Sequence, residues 1–235
     1  MQTRLKITFA YDGTRYFGWQ KTKTGPSIQD ELEKALATIL QHPVKVEGAS
    51  RTDRGVHSLG QVAHFDVNHF PKRLAHSLNQ LLPDDIHVQE LIEVDTKFHA
   101  TLDNSSKTYR YELSNSTYQS PFNRLYQWHY PYDLNIDKMQ KACEKLKGAK
   151  SFKALTNQKK NETYTSFIRD LTLFSLKSQG PHFTFILEGN HFLYKMARNL
   201  VGLVVYIGRG KIELDEIDTI LNSEDRKLAG ITAPA

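Results

Sequence analysis

The stretch Gly48-Ala49-Ser50-Arg51-Thr52-Asp53-Arg54-Gly55-Val56-His57 lies between two strand-like runs. Val44-Lys45-Val46-Glu47 precedes it, and Gly60-Gln61-Val62-Ala63-His64-Phe65-Asp66-Val67 follows. Two extended runs joined by a glycine-containing loop read as a hairpin, and a hairpin implies antiparallel sheet. Such a loop is a rigid mount for a reactive group. Here it sets Asp53 between Arg51 and Arg54, whose charges favour the ionised carboxylate. An ionised acid among phosphate-seeking guanidinium groups points to a nucleophile or base working on an anionic polymer. The same residues also fit an ordinary turn with surface ion pairs worth about 0–1 kcal/mol each, so the remainder of the chain has to decide.

Outward from the hairpin, helix and strand patterns alternate. Leu5–Tyr11 reads as a strand closed by the Asp12-Gly13 turn. Ser27-Ile28-Gln29-Asp30 opens a helix with Ser27 as N-cap, and Ile28, Leu32, Ala35, Leu36 and Ile39 form its apolar face. A second helix runs from Pro71 to Leu82, ended by Pro83, and Val88–Val94 is a strand. In the second half, strands are expected at Thr108–Leu113, Leu125–Tyr130, Thr165–Leu176 and His182–Glu188. Helices are expected around Cys143, over His191–Ile207 and over Leu214–Leu221. The pattern predicts an α+β fold of two α/β halves, residues 1–102 and 103–235, with largely antiparallel sheet.

Composition narrows the classes. At 235 residues with 39% hydrophobic and 24% charged side chains, the chain is expected to be globular and soluble. A net charge of +5 suits a polyanionic partner. The single cysteine, Cys143, excludes an internal disulfide and falls at helical spacing with Ile136, Met139 and Leu146, as a core residue would. None of the ten histidines pairs with Cys or Glu at a zinc-ligand spacing, so no metal site is expected. No secretory signal opens the sequence, and the apolar run Leu200–Ile207 is too short to span a bilayer. A cytoplasmic protein without membrane contact is expected.

Five segments resemble one family when taken in order. They are Tyr11-Asp12-Gly13-Thr14-Arg15-Tyr16-Phe17-Gly18-Trp19-Gln20, Arg51–His57, Leu78–Ile86, Lys107-Thr108-Tyr109-Arg110-Tyr111 and Phe192–Gly202. In this order and spacing the chain is similar to the tRNA pseudouridine synthase A family over nearly its whole length. The resemblance implies a pseudouridine synthase fold with an extended, largely antiparallel sheet and an active-site cleft between the halves. It implies isomerisation of uridine to pseudouridine at positions 38–40 of the tRNA anticodon stem-loop, with no cofactor and no metal, by a homodimer. It assigns Asp53 as the essential aspartate and Tyr109 as a platform for the target uracil. Arg198 becomes the partner of Asp53, and Arg51 the filler of the space that the flipped nucleotide leaves.

From the residues alone, Tyr109 also fits a half-buried strand position, Arg198 a snorkelling helix cation and Arg51 a structural turn. The Tyr16–Gln20 aromatics read as packing, with Arg15 and Lys21 beside them. The sequence departs from the family in Thr101, where arginine commonly follows Phe-His-Ala, and in Ser151 before Phe152. It ends at Thr232-Ala233-Pro234-Ala235, where family chains continue into another strand. Two rival readings follow: a tRNA-binding homologue impaired in catalysis, and a carboxylate hydrolase using Asp12, Asp66 or Asp84 as a second acid.

Overall fold

The computed structural model describes residues 2–158 and 164–235. The chain forms two units, Met1–Asn104 together with Ala235, and Ser105–Pro234.

The first unit is built on β1 (Thr3–Tyr11). Period-two alternation sends Leu5, Ile7, Phe9 and Tyr11 to one face, and all four are buried. With β2 (Glu47–Gly48), β3 (Ser58–Val67) and β4 (Ile86–Val94) it makes an antiparallel sheet of order β2-β3-β1-β4. The helix α1 (Ile28–Leu40) starts where the sequence places it, with the Ser27 side chain accepting the Asp30 N–H. The helix α2 (Leu74–Leu81) adds Leu74 and Leu78 to the same core. β2 is shorter than the Val44–Glu47 pattern predicts. Val44 and Val46 are buried all the same, so their side chains join the core without forming a ladder.

The second unit contains β5 (Lys107–Ser114), β6 (Trp128–His129), β7 (Gly148–Ser151), β8 (Ile168–Gln179) and β9 (His182–Gly189). They form a second sheet of order β6-β5-β9-β8-β7, antiparallel except at the parallel β5–β6 edge. The helices α3 (Ile136–Leu146), α4 (Met196–Gly208) and α5 (Glu216–Ser223) contribute Met139, Cys143, Leu200, Leu203 and Ile217 to its core.

Two expected elements differ for local reasons. The strand over Leu125–Tyr130 forms only at Trp128–His129, because the Tyr126 and Gln127 N–H groups both donate to the Asn123 carbonyl and make a turn. The helix expected from His191 begins at Met196. Lys195 adopts φ +59°, a left-handed conformation that a helix does not propagate across. The short β7 was not expected from its polar sequence. Among the described residues, no helix is long and apolar enough to cross a membrane.

Candidate active site

Asp53 is half-buried in the loop joining β2 to β3. The segment following β1 holds that loop by its backbone. The Trp19 N–H donates to the Thr52 carbonyl at 3.1 Å, and the Gly55 N–H donates to the Tyr16 carbonyl at 3.2 Å. The Val56 N–H closes the turn on the Asp53 carbonyl at 3.2 Å. The Tyr11 and Thr52 hydroxyls are hydrogen-bonded at 2.9 Å, and the Gln61 amide donates to the Ser50 carbonyl at 2.8 Å. The chain is therefore fixed on both sides of the Asp53 carboxylate, as a preorganised group would require.

Two glycines permit this approach. A Cβ at Gly13 would stand 2.0 Å from the Val56 oxygen, and one at Gly18 would stand 2.5 Å from the Thr52 oxygen. Gly18 also has φ +100°, which side-chain-bearing residues rarely adopt. The segment is tied down in turn at Asp85. Its carboxylate accepts from the Tyr16 hydroxyl at 2.6 Å and from Arg15 Nε at 2.7 Å. Its carbonyl accepts the Asp12 N–H at 2.9 Å. Burial first, then the Asp85 carboxylate, push the Tyr16 phenol well above its usual value, so it stays a donor. Tyr16 and Trp19 are buried, as packing residues would be.

The other candidates fall in place as follows. Arg51 is exposed. Arg54, read as a second cation flanking Asp53, lays its guanidinium over the Phe17 ring at 4.3 Å. Asp66 makes a two-pronged pair with Arg4 at 2.8 Å. Asp12 accepts from the Thr14 N–H at 2.9 Å, and its Oδ1 lies 3.0 Å from His57 Nδ1. Asp84 is exposed, and it is the neighbouring Asp85 that the fold uses. Thr101, the departure from arginine, donates its hydroxyl to the Gly48 carbonyl at 2.9 Å and so anchors the strand that enters the loop.

In the second unit, Tyr109 lies on β5 opposite Leu187, and its ring meets Phe192 edge-on with centroids 4.8 Å apart. Arg198 stands in the first turn of α4. Its Nε donates to the Ala233 carbonyl at 2.8 Å, and its own carbonyl accepts the Ala233 N–H at 3.1 Å. The Tyr111 hydroxyl donates to the Pro234 carbonyl at 2.7 Å. The segment ending at Pro234 thus connects the Tyr109 strand with the Arg198 helix. It packs closely because Gly202 has no side chain; a Cβ there would lie 1.9 Å from the Ile231 oxygen.

Asn199 is a residue the sequence reading missed. It is fully buried, donates to Leu155 and Asn157, and accepts from Arg226 and Thr232. An amide inside an apolar helix was the available signal. Of the four predicted residues, Asp53 and Arg51 belong to the first unit and Tyr109 and Arg198 to the second.

Spacing also gave no hint of Glu47, His64 and His99, whose donor atoms lie within 4.8 Å of one another. The backbone decides what they do. His64 Nδ1 accepts the Ala100 N–H at 3.3 Å, and His99 Nδ1 accepts the Thr101 N–H at 3.2 Å. A neutral imidazole that accepts at one nitrogen carries its proton on the other. His99 Nε2 faces Glu47 at 3.4 Å. Metal-bound histidines have the reverse arrangement, donating from the distal nitrogen. The group fits a hydrogen-bonded latch and does not fit a cation cage. Cys143 is no nucleophile either: burial pushes its thiol up to about 12.

A family model described as tRNA pseudouridine synthase matches residues 7–103 and 142–235, which contain the Asp53 loop, its cradle and the Arg198 helix. The chain belongs to the tRNA pseudouridine synthase family. It is 43% identical over 236 residues to tRNA pseudouridine synthase A 2 of Protochlamydia amoebophila (strain UWE25), covering 98% of this chain and 90% of that protein. It is 42% identical over 232 residues to tRNA pseudouridine synthase A of Thermoanaerobacter sp. (strain X514), covering 98% and 94%. The protein of that name from Acetivibrio thermocellus is 40% identical over 233 residues, with 98% and 95% covered. Tyr109 lies between the two stretches of the pseudouridine synthase family model, inside the span shared with these relatives.

Proposed function

We propose that this chain isomerises uridine to pseudouridine at positions 38–40 of the tRNA anticodon stem-loop, with Asp53 as its essential group. The observation that carries the reading is the Asp53 loop, held on both sides by the Tyr11–Trp19 segment in a member of this family. Isomerisation needs no co-reactant. The N1–C1′ bond breaks, the uracil turns, C5 bonds to C1′, C5 gives up its proton and N1 gains one. An ionised carboxylate at a fixed position suits this path as nucleophile or base. Tyr109 would hold the target uracil on its flat face, as aromatic side chains hold flipped bases. Arg198 would supply the counter-charge of the reacting carboxylate, and Arg51 would occupy the gap in the RNA. A net charge of +5 per chain, doubled in a homodimer, supports tRNA as the partner. The setting proposed is cytoplasmic.

The test is incubation with an unmodified anticodon-arm transcript, followed by mapping of pseudouridine. The wild type is expected to convert a uridine within positions 38–40. Asp53→Asn is expected to abolish conversion while keeping RNA affinity within a few-fold. Substantial turnover by Asp53→Asn, free of deamidated enzyme, removes the assignment. Release of free uracil would mark a hydrolase instead.

A further inference from the structure

Arg198 is bonded twice to one residue of the C-terminal stretch. Its Nε donates to the Ala233 carbonyl at 2.8 Å, and the Ala233 N–H donates back to the Arg198 carbonyl at 3.1 Å. The residues beside this pair, Asn199 and Thr232, repeat the connection. The Thr232 hydroxyl donates to Asn199 Oδ1 at 2.6 Å. Arg226 then clasps this second rung from outside. Its Nη2 donates to Asn199 Oδ1 at 2.9 Å and to Thr232 Oγ1 at 2.7 Å. Its Nη1 donates to the Gly230 carbonyl at 2.8 Å, and its Nε donates to Asn157 Oδ1 at 3.4 Å.

Asn157 ties the same point to the approach of α4. Its Oδ1 accepts from Asn199 Nδ2 at 2.8 Å, and its N–H donates to the Tyr194 carbonyl at 3.2 Å. One guanidinium thus gathers acceptors from three places: Asn157, α4 and residues 230–232. A guanidinium is planar and holds its five N–H donors in a fixed fork, so the acceptors around it are fixed relative to one another. Asn199 and Ala233 are fully buried, so neither can exchange its partner for water. Burial also holds the Arg226 guanidinium below its usual value, which places these bonds where water screens them little. The Arg198 charge is felt at Tyr111, whose hydroxyl donates to the Pro234 carbonyl at 2.7 Å. The two carbonyls after Thr232 therefore hold a cation and a phenol side by side.

We propose that Arg226 is a positioning residue for the uridine isomerisation: by locking Asn199 to Thr232 it sets the Ala233 carbonyl that aims the Arg198 guanidinium. This role rests on the use proposed above for Arg198, as the counter-charge of the Asp53 carboxylate. Arg226 itself touches no reacting atom. It acts through one residue on each side, Asn199 beside Arg198 and Thr232 beside Ala233.

The experiment measures single-turnover rate and Kd on an unmodified anticodon-arm hairpin for wild type, Arg226→Gln, Arg226→Lys and Thr232→Val. The first and last are also made in an Arg198→Ala background. Arg226→Gln is expected to slow the single turnover at least about tenfold, as small misplacements of a working group do, with Kd within about threefold. Arg226→Lys, which keeps the charge and loses the fork, should fall between it and wild type. Thr232→Val removes one hydroxyl at nearly constant volume and should slow the step in the same direction, so it carries the test if Arg226→Gln does not fold. In the Arg198→Ala background either substitution should cost less than about twofold more, because the group it aims is gone. Losses that multiply in the double variants, an unchanged rate, or a loss confined to Kd overturns the positioning role. A wild-type rate in Arg198→Ala shows instead that the use proposed for Arg198 has failed. Hydrogen exchange at the Ala233 amide then judges the clasp without activity: faster exchange in Arg226→Gln and Thr232→Val supports it, and unchanged exchange overturns it.

Discussion

Asp85 lies outside the Asp53 loop, yet its carboxylate holds Tyr16, and the Tyr16 carbonyl holds the Gly55 N–H two residues beyond Asp53. Asp85→Asn keeps the shape and removes the charge that binds both the Tyr16 hydroxyl and Arg15. Small misplacements of a reacting group are costly, up to about a hundredfold per ångström. Asp85→Asn is expected to lower kcat at least about tenfold while RNA affinity changes by less than about threefold. Single-turnover kinetics and a binding titration on one hairpin check this, and an unchanged kcat would show that the loop stands without it. At this scale the sequence was informative about identity and silent about partners. Asp53 stood out in the sequence because Arg51 and Arg54 flank it. Asp85 and Asn199 did not, because their roles come from residues far along the chain. Arg54 was read as a neighbour of Asp53's charge, and only the fold shows Phe17 beneath it.

Elements were legible where local chemistry alone sets them. Ser27 caps α1 because its hydroxyl oxygen meets the Asp30 N–H at 3.2 Å, and Ile28, Leu32 and Leu36 then turn to the core. Ser27→Ala is expected to cost about 1 kcal/mol, the usual value of an N-cap. A urea titration monitored by far-ultraviolet circular dichroism would measure it. A change below about 0.3 kcal/mol would mean that another acceptor replaces Ser27. Elements set by tertiary context were misread. Apolar content over Leu125–Tyr130 suggested a strand, but Leu125 and Tyr126 are exposed and the backbone turns on Asn123. The start of α4 was placed early because apolar spacing cannot reveal the left-handed Lys195. Nothing in the sequence marked the purpose of Gly202, which is the close passage of Ile231.

For the molecule as a whole, acid should act in one direction. Burial holds the His64 imidazole below its ordinary 6.5 in the folded chain, so as pH falls through that value the unfolded chain takes up the proton and the folded chain resists. His191 behaves likewise. Asp30 and Asp66, held low by hydrogen bonds to Lys34 and Arg4, withdraw their support only at lower pH. Tm is therefore expected to fall between pH 7.5 and 5.5. His64→Asn, whose amide oxygen can still accept the Ala100 N–H, should reduce that fall. Equal falls in both proteins would remove His64 from the account. Individual strands were visible in outline from alternation and turns, but one extended sheet was expected where the described residues form a four-stranded and a five-stranded sheet, and the strand order came from pairings such as β5 with β9 that span long sequence separations.

The backbone contacts around Asp53 also carry a consequence for motion. Binding loops usually open readily and exchange their amide hydrogens quickly, because few contacts restrain them. Here the amides of Trp19, Ala49 and Gly55 donate to Thr52, Val62 and Tyr16, so each links the loop to its cradle or to β3. In hydrogen-exchange measurements these amides should lose their hydrogens only when the β1–β3 pairing itself opens, at the same rate as the centre of the sheet. Such synchrony would make Asp53 a moving part of the core, with no independent opening of its own. Exchange at those amides much faster than in β1 would instead give the loop a separate clock.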